Sequence, residues 1–522
     1  MKKRRYSIPA LLLVFIFGIH GQIPGTDTLF SPTDLYYFSS LERKAFAGYF
    51  EGSPDYLSMI AAVNPHTDER DLELYRNRID EIIGDIRKKK FDGLSESKKI
   101  YLIRDYVGKA LLVTFNHRAN FNDLFHFGEY NYFTAAAIYS FILEKLDIPH
   151  EIFETPTHIN LLAYPRDQRI GIETTRPGYQ YFMFDHETRS RFVEFLHHLG
   201  VIDENTFKNT SSRDLFERYY FAGYGLSLRE IIGMLYLNSA VVYMEQGNSH
   251  NAFYQLEKAF MLYPSYKSQY LLLSHLGGFL QRMDYHNTRD LGFLVKASRL
   301  VGYGIEPELI KGYFLDIINT VLLEEEDEKT LAYISDYIHR YIQDTSLTNN
   351  FEFLSKYENG RLAFNDDRYA DALEYLEAAF RIYPGNEDNQ NLLVNALAGY
   401  STVVSPGMVL SKIEEYDTAF SEIESEDVYT YVKVNTYLEL FGESFRLQNG
   451  ETGEKYMALY EELMDRYPGT MTDHKLIGRS YSSASIYYYR KGQVNRSKEI
   501  VHKGLQYAPD NIELKLKLAA FE

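Results

Sequence analysis

Three stretches decide the fold: Leu237–Pro264 (LNSAVVYMEQGNSHNAFYQLEKAFMLYP), Gly360–Pro384 (GRLAFNDDRYADALEYLEAAFRIYP) and Ser485–Pro509 (SIYYYRKGQVNRSKEIVHKGLQYAP). Aligned on the closing proline, Ala240, Gly360 and Ser485 share a column. So do Ala252, Ala372 and Ser497, and so do Ala259, Ala379 and Gly504. A turn column holds Gly247 and Gly492, with Asp367 between them. Small side chains let two helices approach closely. The turn residue lets the backbone reverse. Pro264, Pro384 and Pro509 cannot continue a helix and restrict the residue before them. Each stretch therefore reads as a helical hairpin.

Glu443–Pro468 is a degenerate fourth copy with a Tyr-Pro end. Ser268–Leu300, Pro307–Gln343 and Asn391–Glu424 fit helical hairpins without the consensus columns. From Ser227 onward everything reads as helix. The columns resemble the tetratricopeptide repeat, a helix–turn–helix unit of about 34 residues. That resemblance implies a solenoid over 227–522, about seven helical pairs, with a concave groove that takes a protein or peptide partner.

Upstream, Asp34–Phe50, Asp68–Lys90 and Ser95–Phe115 carry apolar residues at three- and four-residue spacing, which predicts helices. Thr67 or Asp68, and Ser95, are the expected N-caps. Between Asn116 and Phe184 the texture changes. A helix from about Tyr132 to Leu146 is apolar on most sides and so expected to be buried. Ile159–Tyr164 and Arg169–Thr174 read as strands joined by the turn Pro165–Gln168, and Pro177-Gly178 ends the second. The expected fold is mostly α: an α+β domain over 22–226, followed by the all-α repeat region.

The residues YNYFTAAAIYSFILEKLDIP, THINLLAYP and RIGIETTRP within Tyr130–Pro177 resemble the transglutaminase-like, papain-like core. In that family a cysteine opens the buried helix, a histidine sits on the next strand and an acid on a later one. By spacing to Asp147-Ile148-Pro149, the resemblance places Tyr132 at the cysteine, His158 at the histidine and Glu173 at the acid. A helix N-terminus and a nearby imidazolium favour a thiolate. The chain has no cysteine. A phenol has a reference pKa of about 10 against about 8.5 for a thiol, so no catalytic residue is expected. Tyrosine nucleophiles exist in sialidases, so chemistry at Tyr132 is not forbidden. Read as ordinary strand residues, His158 is satisfied by Glu173.

Composition narrows the partners. Lys+Arg 55 against Asp+Glu 73 gives a formal charge of −18, which repels nucleic acid and anionic lipid and favours a basic partner. The run Lys88–Lys90 reads as a solvated face. Zero cysteine excludes disulfides, thiolate metal sites and lipid attachment through a cysteine. Neither the acidic run Glu324–Glu328 nor the adjacent His197 and His198 has metal-site spacing, and no cofactor motif is present. Lys2, Lys3, Arg4 and Arg5 before the apolar run Ala10–Ile19 read as a signal peptide over 1–21. The protein is then exported, periplasmic or secreted, soluble after leader removal, and a monomer by default. The main expectation is a non-catalytic interaction or scaffold protein. The alternatives are an exported hydrolase or acyltransferase using the His158–Glu173 pair, and a pseudoenzyme cleft that binds peptide.

Overall fold

The computed structural model describes residues 29–155, 158–174, 182–183, 186–198, 202–220, 225–423 and 427–521. The expected leader and Pro177-Gly178 lie outside these. Of the described residues 72% are helical and 4% lie in strands, so the sheet is a local insert among helices. Contacts divide the chain into two units. The first runs to Asp284 and includes Arg299–Ile305; the second comprises Tyr285–Ser298 and Glu306 onward. The boundary drawn from sequence at 226/227 therefore falls inside the first unit.

The first unit opens with α1 (Ser40–Phe50), α2 (Tyr56–Ala61), α3 (Glu69–Arg87) and α4 (Glu96–Ala110). Helix α1 starts six residues later than its apolar spacing suggests. Ser39 is extended and accepts the Glu42 N–H, while Ser31 ties the Asp34 carboxylate into a turn. Asp68 caps α3, accepting from Arg70 and Asp71. Lys88–Lys90 lie past the end of α3, where Lys90 turns left-handed at φ 55°, and all three are exposed. Ser95 holds the cap position of α4 without a side-chain cap bond. That helix stops at Ala110, because Thr114–Phe115 form β1, parallel to β2 (Glu129–Tyr130).

Helix α5 (Phe121–His126) precedes α6 (Tyr132–Lys145), which is buried as expected from Thr134 to Ser140. It packs on β3 (His150–Thr155) and β4 (His158–Ala163). With β5 (Ile170–Ile172) and β6 (Phe182–Met183) these strands form an antiparallel sheet in chain order. The two strand-like runs correspond to β4 and β5. Strand β3 was not expected from sequence, since its Ile152 and Phe153 are adjacent and break alternation; both are buried. Phe153 and Leu162 join a core with α7 (His186–His198), α8 (Glu204–Asn209) and α9 (Ser212–Tyr220). Helices α10 (Leu228–Glu245), α11 (Ser249–Leu262) and α12 (Tyr266–Leu280) complete the unit, with α10 against α6 and α2.

The second unit holds most of α13 (Thr288–Arg299), then α14 (Pro307–Ile317), which widens into a π-helical segment at Ile318–Glu324, and α15 (Glu328–Tyr341). The hairpin expected over Ser268–Leu300 is thus shared between the units. Next come α16 (Thr345–Asn365), α17 (Tyr369–Ile382), α18 (Glu387–Val403), α19 (Pro406–Ala419), α20 (Asp427–Arg446) and α21 (Gly450–Arg466). The chain ends with α22 (His474–Arg490), α23 (Val494–Tyr507) and α24 (Ile512–Ala519).

The aligned columns have one geometry at every copy. The residue before each proline leaves its helix at φ/ψ of −132°/78° (Tyr263), −132°/81° (Tyr383), −129°/68° (Tyr467) and −134°/75° (Ala508). Clash with the proline ring pushes each of them out of the helical region. The turn column is left-handed in each copy: Gly247 and Gly492 at φ 75°, Asp367 at 58°. Small-residue columns meet between paired helices: Ser485 and Ser497 hydroxyls lie 2.8 Å apart, and a Cβ on Gly360 would sit 2.7 Å from Leu376.

A buried ion pair crosses the first unit. Lys258 Nζ (α11) donates to Glu42 Oε1 (α1) at 2.6 Å, and both side chains are fully buried. Tyr236 (α10) donates to the same oxygen at 3.0 Å, and the Phe38 N–H to the other at 2.6 Å. Removing one member strands the other charge in low dielectric. Lys258→Met should destabilise the first unit by about 3–5 kcal/mol. Glu42→Gln combined with Lys258→Met should recover a large part of that loss, read by urea unfolding. Equal instability of the single and double variants would refute the coupling.

Candidate functional site

Of the three positions singled out by the resemblance, Tyr132 opens α6, His158 opens β4 and Glu173 follows β5. Asn131 is the N-cap of α6: its side chain accepts the Thr134 N–H at 2.9 Å, and the Thr134 hydroxyl accepts the Asn131 N–H at 3.0 Å. The Asn131 amide also donates to the Ala119 carbonyl at 2.7 Å. Thr134 is fully buried, and its hydroxyl also donates to the Asn131 carbonyl. This hydroxyl is committed to the helix cap and not exposed to a substrate.

Tyr132 follows in the first turn, half-buried, with its ring 4.3 Å from that of Phe133. Its phenol pKa is raised, first by burial and then by the Glu154 carboxylate on β3. Both disfavour the phenolate, the form a nucleophile needs. Glu154 in turn accepts the Tyr263 hydroxyl. Glu173 lies one residue past β5, and its charge acts on Tyr130, whose pKa is pushed to about 12 mainly by burial. His158 opens β4 opposite Thr155; its imidazole lies outside the described residues. Glu154 was not singled out from sequence as the acid beside Tyr132, because the strand that carries it was not expected.

The same core holds a Ser–His contact. Ser140 Oγ (α6) is 2.7 Å from His150 Nε2, and His150 Nδ1 is 2.9 Å from the Ile148 carbonyl. A carbonyl requires Nδ1 to carry the proton, so Nε2 accepts from the serine. The distances suit a nucleophile and base. Ser140 is 1% exposed, so substrate has no approach, and the contact ties α6 to the sheet.

A more regular constellation joins the helices. Glu377 Oε1 (α17) accepts Lys412 at 2.7 Å and Tyr416 at 2.6 Å, both from α19. Asp417 (α19) accepts Tyr429 at 2.7 Å and Lys433 at 2.8 Å, both from α20. Glu461 (α21) accepts Tyr481 (α22) at 3.0 Å and Lys503 (α23) at 2.5 Å. Seven residues away on each of those three helices, Glu454 accepts Tyr488 and pairs with Arg496; the step is backward along α21 and α23 and forward along α22. With Glu42, Tyr236 and Lys258, this gives a repeated set: one carboxylate, one tyrosine, one cation.

The set has sequence positions. Tyr236 and Tyr481 each stand 28 residues before a closing proline, and Lys258 and Lys503 each stand six before it. Glu377 and Glu461 stand seven before theirs, a position that Glu257 also occupies although the acid of its set is Glu42. Aligning small residues alone passes over these columns; aligning tyrosines and charges on the same prolines exposes them. His197, by contrast, is fixed locally: it stacks on Phe207 at 4.1 Å and pairs with Glu204 at 3.0 Å. Among the described residues no group of three or more His, Asp or Glu is placed to hold a metal ion, and no helix is long and apolar enough to cross a membrane.

Two outcomes follow from this chemistry. Asn131→Ala should cost about 1–2 kcal/mol through loss of the cap, while Tyr132→Phe stays within about 0.5 kcal/mol, measured by thermal unfolding. The phenols of Tyr236, Tyr416 and Tyr481 are raised by burial first and by their carboxylates second, and Tyr488 is pushed to about 12 by the same causes. Unfolding lowers these values toward about 10, so the unfolded chain gives up its phenol protons first. Stability from these groups is complete below that pH and declines as pH rises through the folded values. A titration followed by phenolate absorbance should show a late class of tyrosines that ionises together with loss of helical circular dichroism; a single smooth titration on an intact fold would count against it.

No protein-family model matches the chain, and no curated protein matches it by sequence.

Proposed function

We propose that this is an exported, non-catalytic interaction or scaffold protein. In this reading a degenerate transglutaminase-like domain precedes a tetratricopeptide-type solenoid whose groove takes a protein or peptide partner. The observation that carries it is the start of α6. The position equivalent to the family's cysteine is a phenol held neutral by burial and by Glu154, and the neighbouring hydroxyl and amide are spent on the helix cap. A helix terminus built this way binds its own chain and activates nothing.

The repeat reading is supported by the pre-proline exits and left-handed turns, which have one geometry in each aligned copy. Hairpins of one geometry stack with a constant rotation and so curve into an extended binding surface. Export is supported by the basic residues and short apolar run within 1–21.

The test is an amine-incorporation assay with a glutamine-containing protein as acceptor, run beside an amidase assay. The wild-type chain and Tyr132→Phe should both remain at background. Wild-type turnover abolished by Tyr132→Phe would overturn the reading. Activity gained by Tyr132→Cys would support the ancestry of the domain. Affinity purification of the exported protein from its host should recover a partner chain.

A further inference from the structure

Helices α1 and α3, with the start of α2, enclose a groove of about 450 Å³. Its floor is apolar: Leu41, Ala45 and Leu72 are each at most 5% exposed. Its walls are charged. Lys44 pairs with Glu69 at 2.9 Å, and Arg76 pairs with Asp55 and donates to Ser58 at 3.2 Å. Burial alone would raise Asp55, but the hydrogen bonds from Ser58 and Arg76 hold its carboxyl below its ordinary value. Gly48 adds no side chain to the wall.

Glu73 is the exception among these charges. It is exposed, lines the groove between Glu69 and Arg76 on α3, and makes no hydrogen bond or ion pair with the described residues. Arg76, one turn away, could neutralise it, yet that guanidinium is already held by Asp55 and Ser58. The groove therefore offers an apolar trough ending at an uncompensated carboxylate. Lysine and arginine match this shape, since they lay an aliphatic stem along apolar surface and carry charge at the tip.

We propose that this groove binds a lysine or arginine side chain presented by a basic peptide segment, with Glu73 as its counter-charge. This rests on the reading of the protein as a partner-binding chain and names the chemistry of the partner. The formal charge of −18 draws such a segment from a distance, and Glu73 sets where its cation docks.

The experiment uses the full chain and a fluorescein-labelled Gly-Lys-Gly-Lys-Gly peptide, followed by fluorescence anisotropy at low and physiological salt. Glu73→Gln and Glu73→Lys should weaken binding by about tenfold or more, and acetylating the peptide lysines should do the same. Both variants alter an exposed side chain and should melt like wild type. Glu374→Lys, an exposed reversal in the second unit, should leave binding unchanged. Three results overturn the site: no binding by the wild type, equal weakening by Glu374→Lys, or equal affinity for a Gly-Glu-Gly-Glu-Gly peptide. Such a failure leaves the non-catalytic reading standing, because that reading turns on Tyr132. Tyr132-dependent turnover with Glu73-dependent binding intact would remove the non-catalytic reading alone.

Discussion

A carboxylate buried between helices needs a cation and a hydrogen-bond donor, and that requirement organises this protein. Desolvating a charge costs several kcal/mol, and one partner seldom offsets it. At the buried Glu42 and Glu377 the offset is shared by a cation and a tyrosine, and the partly exposed Asp417 and Glu454 have the same partners. The tyrosine hydroxyl donates to the carboxylate while its ring lies beneath the cation: Lys258 over Tyr236 at 5.3 Å, Lys433 over Tyr429 at 5.3 Å, Arg496 over Tyr488 at 5.8 Å. One tyrosine thus serves both charges, and two helices at Asp417, or three at Glu42 and Glu454, are fixed relative to each other at a single point. This accounts for part of a chain with 46 tyrosines and no tryptophan.

Much of the helical architecture is legible in the sequence, because its signals are local. Prolines at fixed distance from small residues give the hairpin ends, and Asp367 takes the left-handed turn that glycine takes in the other copies. Helix boundaries were less legible where a side chain elsewhere decides them. Ser39 delays α1 by capping it, and pairing with β2 ends the helical register after α4. Strand β3 was hidden because both its faces are covered: α6 lies on the sheet and the α7–α9 helices on Phe153. Such a strand has no alternation to detect.

The start of α6 shows how site residues can be found by pattern while their chemistry is not. Spacing picks out Tyr132, but its phenol is held protonated first by burial and then by Glu154, twenty-two residues later and on the unforeseen strand. The Ser140–His150 contact has a similar lesson. Its distances suit a catalytic pair, and burial alone assigns it to packing. Geometry without access is a hydrogen bond, not a mechanism.

The three-helix set in α21–α23 has an evolutionary consequence. Its charges and phenols recur at seven-residue steps on each helix, so a substitution at one level leaves a mismatch on two other helices. Drift there is constrained to concerted exchange, and relatives of this chain should gain or lose such levels as whole blocks. Duplication of the α22–α23 hairpin would carry the tyrosine and the lysine but not the glutamate, which stands on α21, so a new copy could latch only onto a preceding helix that already offers the acid.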